Sequence, residues 1–306
     1  EGFRVPPLKV IEEGKLDNKL MALMLNNTRV PDVLENDLIS QISSVQTAGE
    51  DLLGLFRKYG ADVVTDCFDE LIAYSERRTR AAIETIPDGT YSHEEPLLDD
   101  GAMGGPFWLR LKIVKKGSEI TFDFTGTDGQ IQGPINSPLS ATYSAVYYVI
   151  RCLTDPTIPS TEGCRAPIHV IAPEGSIVNA QKPTAVMQRM VTAHSIVDLI
   201  MGALADAIPE KVMGDSCGCG YNHVITTDPD TGTRVVFGES VPGGMGATAL
   251  RDGLNVMSSH VTNFRVPTVE ATEIESPMMF LRREFREDAS GAGRWRGGTG
   301  QVTAYK

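Results

Sequence analysis

Cysteine is scarce in this chain, five scattered among 306 residues. An odd, sparse set excludes a disulfide-built scaffold and makes a reducing cytoplasm the expected compartment. Basic residues are also in short supply: 28 Lys and Arg stand against 40 Asp and Glu, a formal charge of −12. Such a chain lacks the cationic face that displaces counterions, so no nucleic-acid partner is expected. Long apolar runs are missing as well. Stretches such as residues 145–150 fall far short of the roughly 18 residues a membrane helix needs, and no membrane partner is expected. No charged-then-apolar leader follows Glu1. The chain opens on Glu1 in place of Met and closes on Gln301-Val-Thr-Ala-Tyr-Lys306, a strand in progress, so a longer polypeptide is expected. At 41% hydrophobic and 22% charged residues, the composition is that of an ordinary folded protein with one large or about two domains.

Two hydrophobic periods divide what is present. Leu16, Leu20, Leu23 and Met24 share a helical face that Asn26-Asn27 ends. Pro31 opens a longer helix with Leu34, Leu38, Ile42, Val45, Leu52 and Phe56 near helical spacing and Gly60 as its stop. The pattern resumes at Val64 and runs toward Ile86, where Pro87-Asp88-Gly89 breaks it. Phe107, Leu109, Leu111 and Ile113, then Ile120, Phe122 and Phe124, recur every second residue and predict a β-hairpin. Ser137 and Pro138 predict an N-cap and first turn for a helix to about Leu153. Residues 167–172 and 176–179 read as strands, 184–208 as a long helix, and 223–227 with 234–237 as a second hairpin. The expected fold is α+β: a helical N-terminal third, then mixed, largely antiparallel sheet layers with one or two long buried helices. The expected segments are 1–88, 89–183 and 184–306.

Four sets of residues carry candidate chemistry. The glycine-rich runs 214–220, 243–246 and 290–298 can cradle an anion on bare N–H groups. None has the Gly-Lys-Ser/Thr of a phosphate loop, and tight turns are the plainer reading. Cys217, Cys219 and His223 form C-x-C-x3-H, but zinc needs a fourth ligand and no second Cys pair exists. His194 lies on the apolar stripe of its helix with Asp198 four residues on. It is either a core histidine satisfied by that carboxylate or a tuned proton-transfer base. Glu270, Glu273 and Glu275 follow Pro267; in an extended stretch Glu273 and Glu275 share a face, for acid–base work or for solvation.

The ordered motifs resemble those of the hydantoinase B/oxoprolinase family. Glu1-Gly-Phe-Arg-Val-Pro-Pro-Leu-Lys9, Asn27-Thr-Arg29 with Asp37, Gly133-Pro-Ile-Asn-Ser-Pro-Leu-Ser-Ala141 and Ala145-Val-Tyr-Tyr-Val-Ile-Arg-Cys152 are similar to its signatures. So are Pro173-Glu-Gly-Ser176, Gly243-Gly-Met-Gly246, Thr262-Asn263 with Pro267 and Glu270, and the segment 290–298. The chain departs from the pattern at Ser160-Thr-Glu-Gly163, at Asp288-Ala-Ser-Gly291, and in having no H-x-x-D stretch.

The resemblance implies a component of an ATP-dependent hydrolase of hydantoins, 5-oxoproline or lactams. A companion hydantoinase A-like ATPase subunit, carrying ATP and Mg, would phosphorylate the carbonyl oxygen. A divalent metal in the full complex would then have its ligands outside this chain, for instance on the remainder of the B-type subunit. His194, Glu270 and Glu273 are the catalytic candidates. Asn136, Arg165, Gly243, Gly244, Gly246 and Asn263 are the substrate-binding candidates. A subunit of a ketone carboxylase and a non-catalytic scaffold docking the ATPase are the alternatives.

Overall fold

The computed structural model describes residues 3–102, 104–232, 234–258, 260–262 and 266–306, without the side chains of residues 219, 221–225 and 240. The chain divides into two compact units, Glu1–Ala73 and Tyr74–Lys306. In the first, strands β1 (Ile11–Glu12) and β2 (Lys15–Leu16) form a short antiparallel hairpin. Helix α1 (Asn18–Leu25) begins where the Asp17 carboxylate accepts from the Lys19 and Leu20 backbone N–H groups at 2.9 and 3.1 Å, satisfying donors that a helix start leaves open. Helix α2 (Pro31–Tyr59) has proline in its first turn and stops at Gly60, whose φ of +88° suits glycine. Helix α3 (Ala61–Ile83) follows and runs into the second unit.

The second unit is built on one four-stranded sheet in the order β3-β4-β5-β6. Strands β3 (Gly89–Leu97), β4 (Phe107–Lys116) and β5 (Glu119–Asp123) are antiparallel neighbours, and β6 (Ile168–Ile171) joins β5 in parallel. The period-two residues do what their spacing requires. Leu109, Leu111, Ile113, Ile120, Phe122 and Phe124 are all buried on one sheet face. They pack in one core with Val146, Val149 and Ile150 of helix α4 (Leu139–Leu153) and with Ile196, Leu199 and Ile200 of helix α5 (Arg189–Leu204). Helix α5 is apolar on almost every side, with 11 of its 16 residues buried, the pattern of a central rather than a surface helix. The core crosses the boundary expected at 183/184, because α5 lies directly on β3 and β4.

Beyond α5 come the hairpin β7 (Cys219–Thr227) and β8 (Arg234–Pro242), helix α6 (Val269–Glu275), and the antiparallel pair β9 (Phe280–Phe285) and β10 (Gln301–Tyr305). Arg283 of β9 pairs with the fully buried Glu239 carboxylate of β8, and burial holds that carboxyl above its ordinary range, partly offset by the guanidinium.

The α+β class holds, while several local expectations are corrected. Residues 176–179 are not a strand; their backbone groups close successive turns, Ser176 N–H to Pro173 O at 3.2 Å and Asn179 N–H to Ser176 O at 3.0 Å. Helix α4 takes Pro138 as its N-cap, and the Ser137 hydroxyl instead meets Thr142 Oγ1 at 3.1 Å. Residues 269–275 are helical rather than extended, with the Thr268 hydroxyl accepting from Ala271 N–H at 3.3 Å. Helix α5 starts at Arg189 instead of Thr184 because the preceding segment is held elsewhere. The wholly buried Asn136 side-chain nitrogen lies 3.2 Å from Thr184 Oγ1 and 3.1 Å from Ala185 O. The same group donates to Ile131 O and Gly133 O at 2.8 and 2.9 Å, and its Oδ1 accepts from Ile131 N–H at 2.9 Å.

Asn136 is therefore a clamp between two loops. Asn136→Ala strands the buried Gly133 carbonyl and several half-buried backbone groups and is expected to lower unfolding stability by about 1–3 kcal/mol, read by denaturant titration. A raised KM at unchanged stability would return Asn136 to a substrate-binding role.

Candidate active site

The site follows from a close approach. Strand β3 crosses α5 at Gly202, where a Cβ would lie 2.7 Å from the His93 ring. Two residues along the strand advance about 6.8 Å and four along a helix about 6 Å. The step from His93 to Glu95 therefore matches the step from Gly202 back to Asp198. Glu95 consequently meets Ser195 and Asp198 of α5. Pro87-Asp88-Gly89 turns the chain into β3, and Lys115 with the Gly117 N–H hold Asp88 at 2.7 and 3.0 Å.

A cavity of about 400 Å³ opens at this crossing, lined by β3 and the following loop, by one face of α5 and by residues 216–218. Its titratable wall comprises Glu95, Asp99, His194, Asp198 and Cys217. Burial, then the charges of Asp198 and Asp215, push the Glu95 carboxyl up to about 8, with the Ser195 hydroxyl opposing. Burial and Asp215 push Asp198 up to about 7, although the Ser216 hydroxyl donates to it at 3.1 Å. Two carboxyls thus keep their protons into the neutral range, a condition for proton donation.

Two imidazoles stand beside them. His194 is 2% exposed, and neither ring nitrogen has a well-formed hydrogen bond among the described residues. Burial lowers its pKa, partly offset by the His260 backbone, so the ring is neutral. His260 is buried, accepts or donates at Nδ1 with the Tyr148 hydroxyl at 3.0 Å, and places Nε2 4.0 Å from Asp198 Oδ1. Burial and the neighbouring His194 push His260 down to about 4. Another hollow of about 370 Å³, lined by Val10, Ile11, Gln41, Ile42, Val45 and Gln46, carries no titratable group.

Of the sequence candidates, the structure brings only His194 to the cavity wall. Asn136 is occupied by loop backbone. Arg165 is exposed, with its guanidinium 5.3 Å from the Tyr147 ring centre. Glu270 and Glu273 lie exposed on α6, and Glu273 accepts from the Phe280 N–H at 2.6 Å. Gly243, Gly244 and Gly246 press against the chain itself. A Cβ there would meet Cys217 Sγ at 2.0 Å, Gly298 O at 2.3 Å and Gly214 O at 1.9 Å respectively. Asn263 lies outside the described residues, as do the side chains of Cys219 and His223. Cys217 Sγ accepts from Gly244 N–H at 2.9 Å and is exposed at the cavity edge. Among the described residues no group of three or more His, Cys, Asp or Glu is placed to hold a metal ion.

Sequence reasoning missed Glu95, Asp198 as an acid in its own right, and His260. The available signal was the alternation Tyr91, His93, Glu95, Leu97, which puts Glu95 on the face of a residue that is buried.

The sequence pattern of hydantoinase B/oxoprolinase matches residues 1–306 from end to end. The chain belongs to the hydantoinase B/oxoprolinase family. A protein of Pseudomonas sp. strain NS671, named for the B-type component of a D-/L-hydantoinase, is 31% identical over 317 residues, covering 99% of this chain and 52% of that protein. The crystal structure of the ATP-dependent caprolactamase from Pseudomonas jessenii superposes with a TM-score of 0.87 at 27% identity, covering 99% of this chain and 53% of that one. The nucleotide-free acetone carboxylase structure gives the same TM-score at 15% identity, covering 99% and 43%, a likeness of fold alone. The chain spans about half the length of the curated relatives it matches.

A carboxyl raised in the folded state stabilises that state most when protonated. Stability is fully present below the ordinary Glu value of 4.5 and is lost as pH rises through about 8. Denaturant stability is therefore expected to decline from about pH 5 to about pH 9, and Glu95→Gln to flatten that decline. Equal slopes in the two proteins would contradict the assignment.

Proposed function

We propose that this chain is a component of an ATP-dependent hydrolase of cyclic amides, and that the cavity at the β3–α5 crossing opens the activated ring. The observation that carries this reading is the pairing of a proton-bearing Glu95 with a neutral, buried His194 on one cavity wall. An unstrained lactam is a poor electrophile, and phosphorylating its oxygen by a hydantoinase A-like partner using ATP and Mg makes the carbonyl carbon attackable. Water then forms the new C–O bond and gives a proton to His194. The C–N bond breaks, its electron pair takes the proton from Glu95, the hydroxyl oxygen becomes the carbonyl of an acyl phosphate, and the hydroxyl proton passes to the departing amine to complete the ammonium. A second water releases phosphate and leaves the carboxylate. Asp198, held by Ser216 and faced by His260, adds its charge to the burial that keeps Glu95 protonated.

The hydantoinase, 5-oxoprolinase and caprolactamase names of the relatives support the substrate class. The divalent metal of the family finds no three-ligand cluster among the described residues, and no step here is routed through one. The remainder of the B-type subunit is the expected source of its ligands. The free thiols of Cys67, Cys152, Cys164 and Cys217 support a reducing cytoplasm. No described helix is long and apolar enough to cross a membrane.

The test is turnover by the intact complex. ATP consumption should accompany opening of a hydantoin, 5-oxoproline or a lactam. Consumption only with a ketone and bicarbonate would replace this reading by carboxylation. Within an active complex, Glu95→Gln and His194→Ala are each expected to cut kcat at least about 10²-fold. Near-normal turnover of His194→Ala with a lowered Tm would leave His194 a core residue.

A further inference from the structure

The charge of the cavity selects which end of a substrate it takes. Glu95, Asp99 and Asp198 line it, Asp215 is close enough to raise two of them, and no Lys or Arg lines it among the described residues. Once Glu95 has given up its proton, a phosphoryl group placed there would face carboxylates with no opposing cation among the described residues, an unfavourable arrangement for an anion. The independent sign of a ligand is His194. It lines the cavity, is 2% exposed, and leaves both ring nitrogens without a well-formed hydrogen bond among the described residues. Beyond its interaction with the His260 backbone, the buried ring is left with capacity to bond a ligand. Being neutral, it can accept from an N–H. The donor set is thus a neutral nitrogen acceptor, carboxylates and the Ser216 hydroxyl, which together match the three N–H bonds and single charge of a primary ammonium.

We infer that this cavity binds the nitrogen end of the substrate, holding the ammonium released when a lactam or 5-oxoproline ring opens, and that the phosphoryl group stays outside it. The identification of the ammonium as reaction product rests on the hydrolase reading above; the preference for an organic cation rests on the cavity alone. The phosphate must then be received by cationic groups beyond this wall.

Calorimetric titration of the intact protein at pH 8.5 tests this, with propylammonium chloride, inorganic phosphate and manganese chloride as separate probes. Propylammonium is expected to bind, Asp198→Asn to weaken it at least about 10-fold, and phosphate neither to bind nor to displace it. Phosphate that competes, manganese that displaces the ammonium, or an affinity unchanged in Asp198→Asn would overturn the assignment. Thermal melts of the variant establish that it is folded; should it not fold, competition among the three probes on the natural protein decides alone. Ring opening by the same preparation is scored separately. Ammonium binding without ring opening sinks the hydrolase reading and leaves the cation site standing. Ring opening with phosphate seated in the cavity does the reverse.

Discussion

The chemistry of this unit depends on how closely one strand can cross one helix. Gly202 has no side chain, and the His93 ring comes within 2.7 Å of where a methyl group would stand. The His93 ring, otherwise exposed, rests on α5 there, and two residues along the strand Glu95 arrives beside Ser195 and Asp198. Desolvation then does the rest. Two carboxyls share a half-closed space with a third charge nearby, and each resists ionisation because of its surroundings. The raised proton affinities follow from burial and from the neighbouring acids.

Much of the framework was legible in the amino acids. Phe107 to Phe124 alternate because one face meets a core, and Pro31 and Gly60 mark the ends of α2 for local steric reasons. Where reading failed, long-range contacts had overridden local pattern. Residues 184–188 look helical, but Asn136 holds Thr184 and Ala185 to a loop almost fifty residues earlier. Residues 269–275 leave strand and helix open in the sequence, and Thr268 caps a helix there. Strand β3 went unrecognised because its stretch is rich in polar residues, and it is the strand that supplies Glu95.

The site was legible only in part, for a related reason. His194 could be singled out because a titratable residue on an apolar stripe is conspicuous from spacing alone. Its partners could not: Glu95 lies about a hundred residues upstream and His260 some sixty downstream, joined through packing that no short motif encodes. The glycines at 243, 244 and 246 show the converse error. They are glycine because Cys217 and the backbones of 214 and 298 press on them, a requirement of close packing that a sequence motif shares with ligand binding. Family membership names a chemistry, while this chain covers only about half of its relatives' length. An acidic cavity lined by no Lys or Arg among the described residues is consistent with one part of a divided site.

The protonation of Glu95 is the point on which all of this turns. Carboxyl carbon NMR of protein labelled at glutamate, titrated with pH and compared with the Glu95→Gln variant, isolates that one resonance. The account predicts a midpoint near 8. A midpoint near the ordinary 4.5 would mean that the carboxyl is hydrated and charged, with no proton for a leaving nitrogen, and would contradict it.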